Sequence, residues 1–191
     1  MLKRLLCAVL LCVSFNSFSQ SFPVEDGSGR IVYTGVEEGD GTADELYNKS
    51  KKWIVDTFHS IDHVLEVDSR TSSQIIGKGK VLIEGEEDFI GTTPPLILHF
   101  TFALNFKDGR YKYEFSDLRF QQIDMDVPFH AEDILLTDFT APKAKAVGRP
   151  SRSHIVTKQY LKNVEKYKKD TSDLMLTLES SLKKNLAEET W

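Results

Sequence analysis

The sequence is poor in cysteine. Its two cysteines, Cys7 and Cys12, both stand near the amino terminus. Past Cys12 there is nothing to form a disulfide, ligate zinc through thiolates or act as a thiol nucleophile. Long apolar runs are also missing: none after Val13 is long enough for a transmembrane helix. Basic charge is in deficit, 24 Lys and Arg against 29 Asp and Glu, a net of −5. That balance argues against nucleic acid as the partner and favours simple solubility. Complete chemical motifs are absent as well. The acidic residues from Glu37 to Glu45 lack the alternate ligand positions and closing Glu of an EF-hand loop. Gly77-Lys78-Gly79 lacks the Lys-Ser/Thr and following helix of a phosphate-binding loop. His130-Ala131-Glu132-Asp133 has no second histidine at ligand spacing, so it is at most half a metal site. No cofactor is implied.

The first residues form an export signal. Lys3 and Arg4 give a positive start, Leu5 to Val13 an apolar stretch, and Ser17-Phe18-Ser19 small residues around a cleavage point after Ser19. The expected location is therefore periplasmic or secreted. Lipid attachment at Cys12 fits less well, because Leu11 is not the small residue such a site needs. Removing residues 1–19 takes away Lys3, Arg4 and both cysteines, and leaves a more acidic chain. An exported chain without disulfides must rest on its hydrophobic core, and about 170 residues suffice for one domain.

Residues 20–29 read as a polar linker. Arg30 to Val36 has strand composition. Thr42-Ala43-Asp44-Glu45 is a capping box, and opens a helix from about Ala43 to His59. Its stripe of Leu46, Ser50, Trp53, Ile54, Thr57, Phe58 and Ile61 is built for burial, with Lys49, Lys51, Lys52 and Asp56 off it. Trp53 at mid-stripe reads as core rather than a ligand platform. Val64 to Asp68 and Gln74 to Gly85 are strands. Gly77 and Gly79 share the inward face with Ile75, Val81 and Ile83, which leaves room for Trp53 or its neighbours to pack over them. Glu86 to Pro95 reads as a loop.

The strongest signal is the hairpin from Leu96 to Gln121. Apolar residues alternate on both sides of Asp108-Gly109. With those two as the turn, Phe106 faces Tyr111, Leu104 faces Tyr113 and Phe102 faces Phe115. On the other face Asn105 meets Lys112, Ala103 meets Glu114 and Thr101 meets Ser116. The apolar phase slips after Phe115, so a β-bulge is expected at Ser116-Asp117, with Leu118 beside Phe100. Residues 122–152 form a long loop or flap, with a helical turn expected near Glu132 to Leu136 and mobility expected at 141–149. Ser153 is placed to cap a terminal helix, within 153–188, that completes the same domain. Leu161, Val164, Lys168, Thr171, Met175, Leu178 and Leu182 follow its stripe, and a kink is expected at Asp170 to Asp173. Lys158, Lys162, Lys166, Lys168 and Lys169 read as a solvated face, with attraction to an anionic envelope surface as the alternative.

The element order is strand, helix, four strands, helix. An α+β single domain follows, with an antiparallel curved sheet and both helices on one face. The open face would display Lys78, Lys80, His99, Thr101, Asn105, Lys112, Glu114 and Ser116, of which the first seven are the candidate binding residues.

Several short motifs occur in a telling order. They are Gly35 after Ile31-Val32-Tyr33, Asp44-Glu45-Leu46-Tyr47, Trp53, Ile75-Ile76-Gly77-Lys78-Gly79, and Lys107-Asp108-Gly109-Arg110-Tyr111-Lys112-Tyr113. In these the chain resembles a secreted Bacteroidetes family of domains of unknown function with a TATA-binding-protein-like fold. The resemblance covers about Arg30 to Phe120. It implies the TBP-like fold and an envelope location. It carries no catalytic residues, and the fold name does not imply DNA binding. The expected function is a non-catalytic binding or assembly domain, its partner an envelope protein, peptide, glycan or lipid. One alternative is an envelope hydrolase or metal-dependent enzyme using His130 and the flap carboxylates. Another is an inhibitor or immunity protein.

Overall fold

The computed structural model describes residues 21–59, 64–88, 91–137 and 150–187. The expected export signal with Cys7 and Cys12, Ile61 at the end of the first stripe, and the 138–149 part of the expected flap lie outside them. Among the described residues no helix is long and apolar enough to cross a membrane.

The chain runs β1 (Tyr33–Glu38), α1 (Ala43–Phe58), β2 (Leu65–Ser69), β3 (Gln74–Ile83), β4 (Glu86–Asp88), β5 (Gly91–Thr93), β6 (Leu96–Lys107), β7 (Arg110–Gln122), β8 (Phe129–His130), α2 (Glu132–Leu135) and α3 (Pro150–Ala187). The main sheet is antiparallel, with strand order β1-β7-β6-β3-β2, and β8 extends the outer edge of β7. Both long helices cover one face. This is the expected α+β architecture with a TBP-like curved sheet.

The β6–β7 hairpin has the register that its apolar alternation requires. Phe106 pairs with Tyr111, Leu104 with Tyr113, Phe102 with Phe115 and Asn105 with Lys112. The register shifts between His99 and Thr101, and Asp117 sits at φ 52 in the left-handed region. The extra residue lets Leu118 return to the core, where it is fully buried. The Asp108-Gly109 turn also anchors α1. Asp108 Oδ1 accepts the Ala43 N–H at 2.8 Å, and the Gly109 N–H donates to the Gly41 carbonyl at 2.9 Å. The capping box at Thr42 and Glu45 is complete. The acidic run at Glu37 to Glu45 thus starts a helix.

The core is aromatic. Trp53, 1 % exposed, meets Phe102, Phe115 and Phe58 edge to face and donates its indole N–H to Ser181 Oγ at 2.9 Å. That bond ties α1 to α3. The space above Gly77 and Gly79 is filled from the neighbouring strand. The Phe102 ring lies over Gly77 and the Phe100 ring over Gly79. The expectation that Trp53 or its neighbours pack over the glycines is corrected: Phe102 and Phe100 lie nearest them, and Trp53 and Phe58 pack against Phe102.

Other expectations also need correction. Residues 21–29 do not behave as a linker. Val24 bridges Ile31, Glu25 N–H donates to the Arg30 carbonyl, and Phe22 is buried in the core. Lys49 belongs to the buried side of α1, its ammonium donating to the Asp40 carbonyl at 3.0 Å while its stem packs inside. Glu86 to Pro95 is not a plain loop but carries the small β4–β5 hairpin. The hairpin docks on α3 through Thr93 Oγ1 to Asn163 Oδ1 at 2.7 Å and the Tyr167 phenol to the Pro94 carbonyl at 2.7 Å. Burial raises the Tyr167 phenol to about 12. Tyr167, not Lys168, faces the core from this turn of α3. The helix begins at Pro150, where proline suits a first turn, so Ser153 lies inside it rather than capping it. It continues unbroken through Asp170 to Asp173 for 38 residues, about 57 Å at 1.5 Å per residue. Ion pairs Lys166–Asp170 and Lys169–Asp173 support that stretch.

Candidate functional site

The face of the sheet away from α1 and α3 is set by strand alternation. Every second residue of β3, β6 and β7 points into the core, so the intervening ones point out. Lys78, Lys80, Asn105 and Lys112 are exposed there, and His99, Thr101, Glu114 and Ser116 are partly so. The register aligns Lys78 with Thr101 and Ser116, and Lys80 with His99 and Arg119. This face therefore brings the candidate residues onto one surface but divides all of them except Glu114 between two grooves.

The first groove, about 300 Å³, lies beside the bulge. It gathers Lys78, Lys80, His99 and Thr101, and adds Asp117, Arg119 and Pro128. Lys78 pairs with Glu66 at 2.5 Å and Arg119 with Asp117 at 3.0 Å. His99 is held from one side: its Nε2 lies 2.7 Å from Gln121 Oε1, and Gln121 Nε2 donates to the Met125 carbonyl at 2.8 Å. Because Gln121 offers only its oxygen, His99 carries a proton on Nε2, and neutral His99 presents Nδ1 as an acceptor. Burial holds its pKa below the ordinary histidine value; the Gln121 bond opposes this and the Lys80 charge adds to it.

The second groove, about 440 Å³, lies at the turn end of the same face. It contains Asn105 and Lys112 together with Val36, Ser72, Ser73, Lys107 and Arg110. Glu114 lines neither groove and lies 3.8 Å from Lys112 as an ion-pair partner. Sequence reasoning missed Arg119, Lys107, Arg110, Ser72 and Ser73. The hairpin register carried the signal for the first three, since Arg119 falls opposite His99 and Lys107 opposite Arg110. The serines reach the groove through the β2–β3 turn, which the Ser73 carbonyl ties to the Phe106 N–H at 2.9 Å.

His130 is exposed at the sheet margin, paired through β8 with Arg119. Among the described residues no three His, Cys, Asp or Glu side chains gather as a metal-binding group. Asp138 lies outside those residues.

An antiparallel curved sheet backed by two helices, with its second face left uncovered by the described residues, defines a TBP-like α+β domain. Residues 18–121 match the family model described as a domain of unknown function (DUF4468) with TBP-like fold. The chain belongs to that family. It is similar to the crystal structure of a DUF4468 family protein from Bacteroides ovatus, with a TM-score of 0.61 and 16 % identity, over 87 % of this chain and 91 % of that one. It is also similar to a TBP-like protein from Parabacteroides distasonis, with a TM-score of 0.49 and 14 % identity, over 84 % of this chain and 97 % of that one. No curated protein matches the chain. The Bacteroides ovatus likeness is one of fold, and it extends past residue 121, where the family match ends.

Proposed function

We propose that this chain is a non-catalytic binding or assembly domain of the cell envelope, exported by residues 1–19, which takes its partner on the open sheet face. The observation that carries the reading is the face that the described residues leave uncovered. Its outward side chains are mostly polar, with Val36 and Leu82 exposed among them, and its two grooves hold cations and hydrogen-bonding groups. The opposite face is fully used in packing α1 and α3. The Asp117 backbone adds weight. A non-glycine residue in the left-handed region costs roughly 1–3 kcal/mol, and such strain concentrates at functional sites.

The test is capture from envelope extract by the purified chain, with partners identified by mass spectrometry. His99→Ala, Asn105→Ala and Lys112→Ala are run beside it. A partner retained by the parent chain and lost from at least one variant is the expected result. Partners that all survive all three changes would remove the open face as the site.

A further inference from the structure

We propose that the groove at the turn end of the open face binds a saccharide bearing a charged oxyanion, such as a sulfate or uronate group. This deepens the binding reading above and rests on it. The groove's volume, about 440 Å³, falls in the range of small-molecule sites. Much of its wall is apolar, with Val36 and Phe106, and its charged side chains are all donors. Lys107, Arg110 and Lys112 line it, and no carboxylate does. Lysine and arginine side chains only donate. Asn105 Oδ1 already accepts from Gln74 Nε2 at 3.1 Å, so what Asn105 has to offer a ligand is chiefly its amide N–H groups.

The nearby acids are mostly engaged elsewhere. Asp108 accepts from the Ala43 N–H, and Glu37 pairs with Lys183 at 2.7 Å on the helix side. Glu114 stands 3.8 Å from Lys112, and Glu38 is Arg110's register partner on β1. Asp108, Glu38 and Glu114 thus stand around the three cations, but the groove wall itself carries only the cations. The guanidinium of Arg110 presents a planar fork suited to an oxyanion.

The mixture of groups favours a sugar over an acidic peptide. A peptide brings an N–H donor at every residue, and this wall has few acceptors for them. The groove also crosses the strands, from Val36 on β1 to the turn before β3, so a peptide lying in it could not add a strand to the sheet. Sugar hydroxyls both donate and accept, and so suit Ser72, Ser73 and Asn105. Val36, 64 % exposed, offers an apolar surface for the C–H face of a sugar ring.

The experiment is an NMR titration of the purified chain at low salt with three probes. These are a sulfated, uronate-containing disaccharide, a neutral disaccharide with neither sulfate nor uronate, and a hexaglutamate peptide. The sulfated disaccharide is expected to shift amides near Ser73, Asn105 and Arg110. Arg110→Gln and Lys112→Gln should each weaken it about tenfold, as loss of a charge-assisted hydrogen bond does. Lys80→Gln, in the other groove, should leave it unchanged. The wild-type spectrum retained by each variant shows the fold is kept, since all three side chains are exposed. Absence of binding, equal binding of the neutral sugar or of hexaglutamate, or indifference to Arg110→Gln and Lys112→Gln would each overturn the inference. A captured partner that depends on His99 while no sugar binds would overturn the saccharide alone. Partners indifferent to every open-face change would overturn the parent reading instead.

Discussion

Alanine in place of Gly77 or Gly79 sets two effects against each other with opposite signs. Backbone entropy alone predicts a gain, because glycine in a strand costs roughly 0.5–1 kcal/mol relative to alanine. Packing predicts a loss. A Cβ on Gly79 would lie 2.6 Å from Phe100 Cε2, and one on Gly77 would lie 2.8 Å from Phe102 Cε1 and 2.7 Å from the Val64 carbonyl oxygen. Real Cβ atoms keep at least 3.0 Å. The rings cannot swing away freely, since Phe102 is stacked on Phe58 at 5.6 Å and Phe100 packs against Phe115. Overpacking of this kind costs about 1–3 kcal/mol, so a net destabilisation of about 1–2 kcal/mol is expected at either site. The two sites should differ in rescue. Phe100→Leu removes the ring nearest position 79, so Gly79→Ala should cost less in that background. Phe102→Leu should rescue Gly77→Ala less well, because the Val64 oxygen is backbone and itself accepts the Lys78 N–H at 2.8 Å. Urea unfolding of the single and double variants measures both. If Gly77→Ala stabilises the protein, the close-approach account is wrong.

Two further outcomes follow from the bulge region. His99 binds its proton less readily in the folded chain than in the unfolded one, so the unfolded state holds more protons near its titration. Stability should be full above about pH 6.5 and fall as pH drops through the lower folded value. His99→Gln should flatten that slope when urea midpoints at pH 7.5 and 5.5 are compared; an unchanged slope would refute the assignment. At Asp117, φ 52 tolerates glycine and penalises a β-branched side chain. Asp117→Val should therefore destabilise by about 1–2 kcal/mol more than Asp117→Gly, and equal midpoints for the two variants would contradict the left-handed bulge.

Much of the fold is written in local pattern. The β6–β7 register could be worked out because a period-two apolar set has one pairing that keeps every member inside, and the phase slip after Phe115 exposed the bulge. The start of α1 was readable because Thr42 and Glu45 satisfy each other. Features set by distant contacts were not. Glu86 to Thr93 has no apolar alternation, and its hairpin is held by Asn163 and Tyr167 some seventy residues on. Tyr167 displaces Lys168 from the core because β5 and Phe120 wait for an aromatic there. The candidate face was legible as an alternation of polar residues. Its division into two grooves was not, because Ser72, Ser73, Lys107 and Arg110 meet only when two turns close at one end of the sheet.

The central claim is that partners dock on the open sheet face and not on the helical side. Lysine-reactive labelling of the chain with and without envelope extract, read by mass spectrometry, tests it most directly. Lys78, Lys80, Lys107 and Lys112 lie on the open face, while Lys52 and Lys169 are exposed on the helices. The account predicts that extract protects open-face lysines and leaves Lys52 and Lys169 as reactive as before. Protection of Lys52 and Lys169 with no change at the open-face lysines would contradict it.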